Sequence, residues 1–237
     1  MGEDGPKVAI ITGGSQGIGA GLVTAYRDLG WSVVANALTI EPSPDPQVLA
    51  VAGDISEAAT TGAIIDGALE RFGRIDTLVN NAGVFMSKPF TEYTAEDYEL
   101  LVGVNLGGFF RLTQRAIAEM LGRGSGLVVS ITTTIVDHAH SSEPSALTSL
   151  TKGGVAAATR SLAVEYAARG IRVNAVAPGV IRTPMHAGES YAASAQLAPM
   201  ERVGDVSDIV GGVLFLQSSP FITGETLHID GGQIAGR

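Results

Sequence analysis

An apolar, β-branched run that ends in a glycine-rich turn constrains this chain most: Val8-Ala9-Ile10-Ile11-Thr12-Gly13-Gly14-Ser15-Gln16-Gly17-Ile18-Gly19. A run of this kind is a strand covered on both faces, and Gly17–Leu29 after it has the composition of a helix. The segment therefore reads as strand, turn and helix start. Gly13 allows the sharp turn, Gly17 lets a ligand approach the backbone, and Gly19 lets the helix pack against the strand. The first turn of a helix offers unpaired N–H groups and the positive end of its dipole, which together suit a diphosphate. With Ser15, Gln16 and Ile18 between the glycines, the turn is a candidate pyrophosphate cradle.

The same alternation continues along all 237 residues. Val8–Thr12, Ser32–Ala37, Val48–Ala52, Thr77–Asn80, Leu127–Ile131, Arg172–Ala177 and Thr226–Ile229 read as strands. Gly17–Leu29, Glu57–Phe72, Ala95–Leu121, Thr148–Arg169 and Val206–Leu216 read as helices, with Thr94 and Asp97 as a capping box for the third. No linker, repeat or composition break divides them. The expectation is a single α/β domain over 1–237, Rossmann-type and doubly wound, with a seven-stranded, mainly parallel sheet and helices on both faces. Ligands of such sheets sit beyond the carboxyl ends of the strands, so the weakly periodic segment 178–205 after the sixth strand is a candidate substrate lid.

Composition removes several alternatives. A formal charge of −9, with 15 scattered Lys and Arg residues, disfavours nucleic acid. There is no cysteine, hence no disulfide, thiolate nucleophile or Cys-held metal. No stretch has the apolar length of a signal peptide or a membrane span, so a cytoplasmic location is expected. Asp137-His138-Ala139-His140 is a short cluster of metal-ligand types, but no second group accompanies it, and no metal is expected.

The spacing Gly-x-x-x-Gly-x-Gly at residues 13–19 resembles the cofactor turn of short-chain dehydrogenase/reductases. Further motifs follow in that family's order. Asp54-Ile55 resembles the pair beside the adenine ring. Asn80-Asn81-Ala82-Gly83 resembles the family's NNAG at the end of strand four. Asn105 resembles the asparagine that supports a proton-relay water, and Lys152 the active-site lysine. Pro178-Gly179-Val180-Ile181-Arg182-Thr183 resembles the segment that closes over the nicotinamide, and Thr223-Gly224 with Asp230-Gly231-Gly232 the C-terminal signature. The resemblance implies NAD or NADP as cofactor, a small carbonyl or alcohol as substrate, and a homodimer or homotetramer assembled through the alanine-rich helix Val155–Ala168 and the C-terminal segment. At the end of the second strand, the family's acidic position falls on Ala37 and its basic one on Leu38. No cation is offered to a 2′-phosphate, and Glu41 nearby would repel one, which favours NAD.

One family residue is missing. Family members exchange the substrate proton through a tyrosine four residues before the lysine, and here that position is Thr148. The preceding family serine falls on Thr133, which keeps a hydroxyl able to donate to an oxyanion. Thr148 is shorter than a phenol and a far weaker acid, and losing positioned acid–base assistance costs about 10²–10⁴-fold. Asp137, His138, His140, His186 and Tyr191 are candidate replacements, whereas Tyr93 and Tyr98 read as packing residues. Three functions stay open: an oxidoreductase with Asn105, Thr133 and Lys152 in their family roles and atypical proton delivery; a dinucleotide-binding protein without turnover; and a non-redox dehydratase or isomerase.

Overall fold

The computed structural model describes residues 5–141, 143–186 and 191–236. Seven strands form one sheet: β1 Val8–Thr12, β2 Ser32–Ala37, β3 Val48–Ala52, β4 Thr77–Asn80, β5 Gly126–Ile131, β6 Ile171–Pro178 and β7 Thr226–Ile229. Their order is β3-β2-β1-β4-β5-β6-β7, and every pairing is parallel. The chain leaves β1 outward toward β3 and then returns across β1 to start β4. That reversal opens a crevice at the carboxyl ends of β1 and β4.

The helices are α1 Gly17–Asp28, α2 Ala58–Phe72, α3 Ala95–Leu101, α4 Phe109–Arg123, α5 Ala146–Tyr166, α6 Tyr191–Ser194 and α7 Val206–Ser218. Strands β1, β2 and β4 are buried along their whole length, as their unbroken apolar runs require. Alternate strand residues feed two cores. One packs Ile10, Val34, Leu78 and Val128 against Ile64 and Ile65 of α2 and Leu112 and Met120 of α4. The other packs Ile11, Val33, Val79 and Val129 against Leu22 and Tyr26 of α1 and Ile209, Val213 and Leu216 of α7.

The expected helix Ala95–Leu121 is helical throughout and runs on to Arg123, but its winding changes midway. Its capping box is present, with Asp97 N donating to Thr94 Oγ1 at 3.2 Å and Thr94 N to the Asp97 carboxylate at 2.9 Å. Between α3 and α4, however, Val102–Gly108 is wound as a π-helix around the buried Asn105. Within the expected lid, Ile181 bridges to Gly204. Residues 187–190 and the side chain of His186 lie outside the described residues.

Candidate active site

The glycine turn is built as its sequence requires. Gly13 has φ +66°, and a Cβ there would stand 2.8 Å from Asn81 Nδ2. Gly19 is buried beneath it, and a Cβ on Gly19 would come within 2.0 Å of the Gly13 carbonyl oxygen. Only hydrogen fits there. Helix α1 starts at Gly17 with no side-chain cap from Gln16 and no acidic residue in its first turn, so its free amides meet no internal anion.

This turn borders a cavity of about 500 Å³ along the carboxyl edge of the sheet. Gly13, Ser15, Gln16, Gly17 and Ile18 line it from the β1–α1 turn, Asp54 and Ile55 from beyond β3, and Asn81, Ala82 and Gly83 from beyond β4. Thr133, Thr148 and Lys152 line its other end, and Pro178 at the end of β6 borders it with Gly179, Ile181 and Thr183 beyond. Thr183 lies across the start of α1, 3.3 Å from where a Gly17 Cβ would be. Among the expected site residues, Gly19 and Asn105 lie behind this lining.

Asn81 braces the turn. Its Nδ2 donates to Thr12 O at 2.9 Å, while Asn81 N and Ala82 N both donate to Thr12 Oγ1, at 3.0 and 2.9 Å. Asp54 accepts from Ser56 N at 2.8 Å, which holds the end of β3 in its turn.

At the other end, Asn105 holds the chain after β4. Its Oδ1 accepts from Val84 N at 2.9 Å, and its Nδ2 donates to Val84 O and Thr151 Oγ1, both at 3.0 Å. Lys152 Nζ donates to Ile131 O at 2.8 Å and sits where a Gly83 side chain would be. Burial lowers the Lys152 ammonium from its ordinary range to about 8. Thr133 caps the short turn after β5, accepting from Ile135 N at 3.4 Å. Thr148 is buried. Its hydroxyl donates to Met86 O at 3.0 Å and accepts from Met86 N at 3.1 Å.

Asp137, His138, His140 and Tyr191, the described candidates to replace a phenol, make contacts elsewhere. Asp137 pairs with His228 at 3.0 Å, His140 Nε2 lies 2.9 Å from Gln233 Nε2, and His138 meets His140 edge-on with ring centroids 4.8 Å apart. Tyr191 donates to Thr183 O at 3.4 Å. None of these four lines the cavity, and among the described residues no group of three His, Cys, Asp or Glu side chains stands together.

Several lining residues were not anticipated. Asn36 lines the cavity while its amide donates to Val51 O and Gly53 O at 3.0 and 3.1 Å. A lone amide in the apolar run Ser32–Ala37 was the signal available for it. Glu143 and Gln233 also line the cavity, brought there by loops whose sequences carry no such signal.

Set beside known proteins, residues 13–233 match the family model described as enoyl-(acyl carrier protein) reductase. The chain is 35% identical over 246 residues to 3beta-hydroxysteroid dehydrogenase 1 of Eggerthella lenta, an alignment covering 95% of this chain and 93% of that one. Among solved structures, ElxO with NADP bound superposes with a TM-score of 0.90 at 30% identity, covering 98% of this chain and 100% of the other. The 3-ketoacyl-(acyl-carrier-protein) reductase of Brucella melitensis complexed with NADH also gives 0.90 at 30% identity, covering 97% and 99%. With its sheet order, its glycine turn and these matches over nearly its whole length, the chain belongs to the short-chain dehydrogenase/reductase family.

Proposed function

We propose that this protein is a nicotinamide-dinucleotide-dependent oxidoreductase acting on a small carbonyl or alcohol. One observation carries the proposal: an uncapped glycine turn and the buried Lys152 open onto the two ends of one cavity of about 500 Å³. A dinucleotide suits that span, with its diphosphate on the first-turn amides of α1 and its nicotinamide ribose toward Lys152. Relatives of the same fold whose structures hold NADP or NADH support the assignment. When bound, the dinucleotide supplies or accepts the hydride. Gly13, Ser15, Gln16, Gly17, Ile18 and Gly19 would seat it, with Asp54 and Ile55 at the adenine, Asn81, Ala82 and Gly83 behind it, and Pro178, Gly179, Ile181 and Thr183 closing over it. Thr133 would polarise the substrate oxygen, and Asn105 and Lys152 would hold the ribose end in place.

NAD is the preferred form in this proposal. The cavity beside β2 is lined by Asn36, Ala37, Leu38 and Thr39, none of which offers a cation to a 2′-phosphate, and Glu41 lies outside the lining. Segment 178–205 acts as the substrate lid, with Met185 exposed at its mouth.

The proton does not come from Thr148. Its hydroxyl hydrogen is committed to Met86 O, and an aliphatic alcohol is a far weaker acid than the family's phenol. The same clasp favours a second reading, a protein that binds the dinucleotide without turnover. The two are separated by titrating NADH and NADPH fluorescence and then following nicotinamide absorbance over a panel of carbonyls and alcohols. Tighter binding of NADH with turnover of at least one compound is expected, and Thr148→Tyr should raise that turnover. Binding with silence across the panel, in both the parent chain and Thr148→Tyr, would establish the second reading instead.

A further inference from the structure

Removing the phenol from the family arrangement leaves an oxidoreductase in need of a proton carrier at the nicotinamide end. Among the described residues, the ionisable side chains lining the cavity are Asp54, Glu143 and Lys152. Asp54 belongs to the turn after β3, at the opposite end from Thr148, and its carboxylate accepts from Ser56 N. Lys152 opens onto the cavity too, with Nζ on Ile131 O, and has the place assigned above to the nicotinamide ribose. Glu143 lines the same end as Thr133, Ile135, Thr148 and Met185, and it is half-buried, in touch with both cavity and solvent.

The turn that carries Glu143 is fixed on both sides. Glu143 N donates to His140 O at 3.2 Å, Glu143 O accepts from Ser145 Oγ at 3.1 Å, and Pro144 O accepts from Ser87 Oγ at 3.1 Å. These bonds tie the start of α5 to the chain that follows β4, so the carboxyl group is presented from a held backbone, five residues ahead of Thr148. A proton carrier needs a site on the substrate side and an exchange route to water, and the half-exposed position gives Glu143 both.

We infer that Glu143 is the catalytic acid–base of this chain, exchanging with the substrate oxygen the proton that a tyrosine carries in its relatives. The inference rests on the oxidoreductase function proposed above. In the oxidative direction the alcohol O–H bond breaks and its proton moves to the Glu143 carboxylate. The carbinol C–H bond breaks with its electron pair, which passes as hydride to the oxidised dinucleotide, and the C–O bond becomes C=O. Glu143 then loses its proton to solvent. Reduction runs the same steps backwards, with protonated Glu143 as the donor.

The test uses the full chain with NAD⁺ and an alcohol that it oxidises. Glu143→Gln should lower kcat by about 10²–10⁴-fold. The alcohol KM and the affinity for NADH, read by fluorescence titration, should stay close to the parent values. Glu143→Ala should be partly restored by added formate in a concentration-dependent way, a response that a purely structural glutamate would not give. Parent-like kcat in Glu143→Gln would overturn the inference while leaving the oxidoreductase function intact. So would a loss confined to KM, which would make Glu143 a substrate-binding group. A parent chain that binds NADH and oxidises no alcohol would remove the oxidoreductase function itself and the inference with it.

Discussion

Lys152 is the residue where folding and function pull against each other. Its ammonium is packed among protein atoms and opens onto the cavity, with Ile131 O as hydrogen-bond partner at 2.8 Å. Desolvation drops it from 10.5 to about 8. In the unfolded chain the lysine stays charged at no cost up to about pH 10.4. The folded chain therefore bears the cost of a poorly hydrated charge below pH 8, and sheds it as pH rises from 8 to 10.5. Stability contributed at this position thus increases with pH across that window. That drop corresponds to about 3 kcal/mol, an upper bound because the ammonium also faces the cavity. Urea unfolding of the parent chain and Lys152→Met at pH 7 and pH 10.5 checks this. The parent should gain on the variant by up to that amount at the higher pH, and equal pH dependence of the two would refute it. The spacing to Thr148 and Lys152 was readable from the chain because both lie on one helix. Thr12 was not, because the three hydrogen bonds its hydroxyl makes reach Val79, Asn81 and Ala82, nearly seventy residues away.

At the scale of elements, the π-helical turn Val102–Gly108 most affects the site. A wider turn inserted between α3 and α4 swings Asn105 inward, where it satisfies both backbone groups of Val84 and the hydroxyl of Thr151. Gly108 packs against Ile55 there, with space for no Cβ, since one would come within 2.9 Å of Ile55 Cγ1. Asn105→Ala would leave the partly buried N–H and C=O of Val84 unpaired, for which about 1–3 kcal/mol of lost stability is expected. Denaturant unfolding measures that loss, and dinucleotide affinity should fall with it as the chain beyond β4 loosens around Gly83. Undiminished stability would mean that Val84 finds other partners. The cap that begins α3 was legible, since Thr94 and Asp97 signal it locally. The π turn was not, because one added residue per turn barely disturbs the apolar period over Ala95–Leu121. The strands were the most legible elements of all, each an apolar run bounded by its own turn residues.

Taken as a whole molecule, the sheet consumes its apolar residues in two cores, yet several large apolar side chains remain outside them. Leu150 and Val164 on α5 are 60% and 84% exposed, and Phe221, just before β7, is fully exposed. No helix among the described residues is long and apolar enough to cross a membrane. Exposed apolar groups on one helix and beside the C-terminal strand fit surfaces that meet other protein. The C-terminal segment is also wired to the site: His228 pairs with Asp137, Gln233 with His140, and Gln233 itself lines the cavity. Those contacts span more than ninety residues and left no trace in the local sequence. We propose that copies of the chain assemble through α5 and the C-terminal segment into a dimer or tetramer. Light scattering on the eluting protein should then give two or four times 24.3 kDa. Val164→Arg should lower that mass without lowering the stability of the single chain, because a residue 84% exposed on a helix surface contributes little to its own fold. A parent protein that elutes at the mass of one chain would end the proposal. A Val164→Arg variant that keeps the full assembly would move the interface away from this face of α5 and leave the C-terminal segment to carry it.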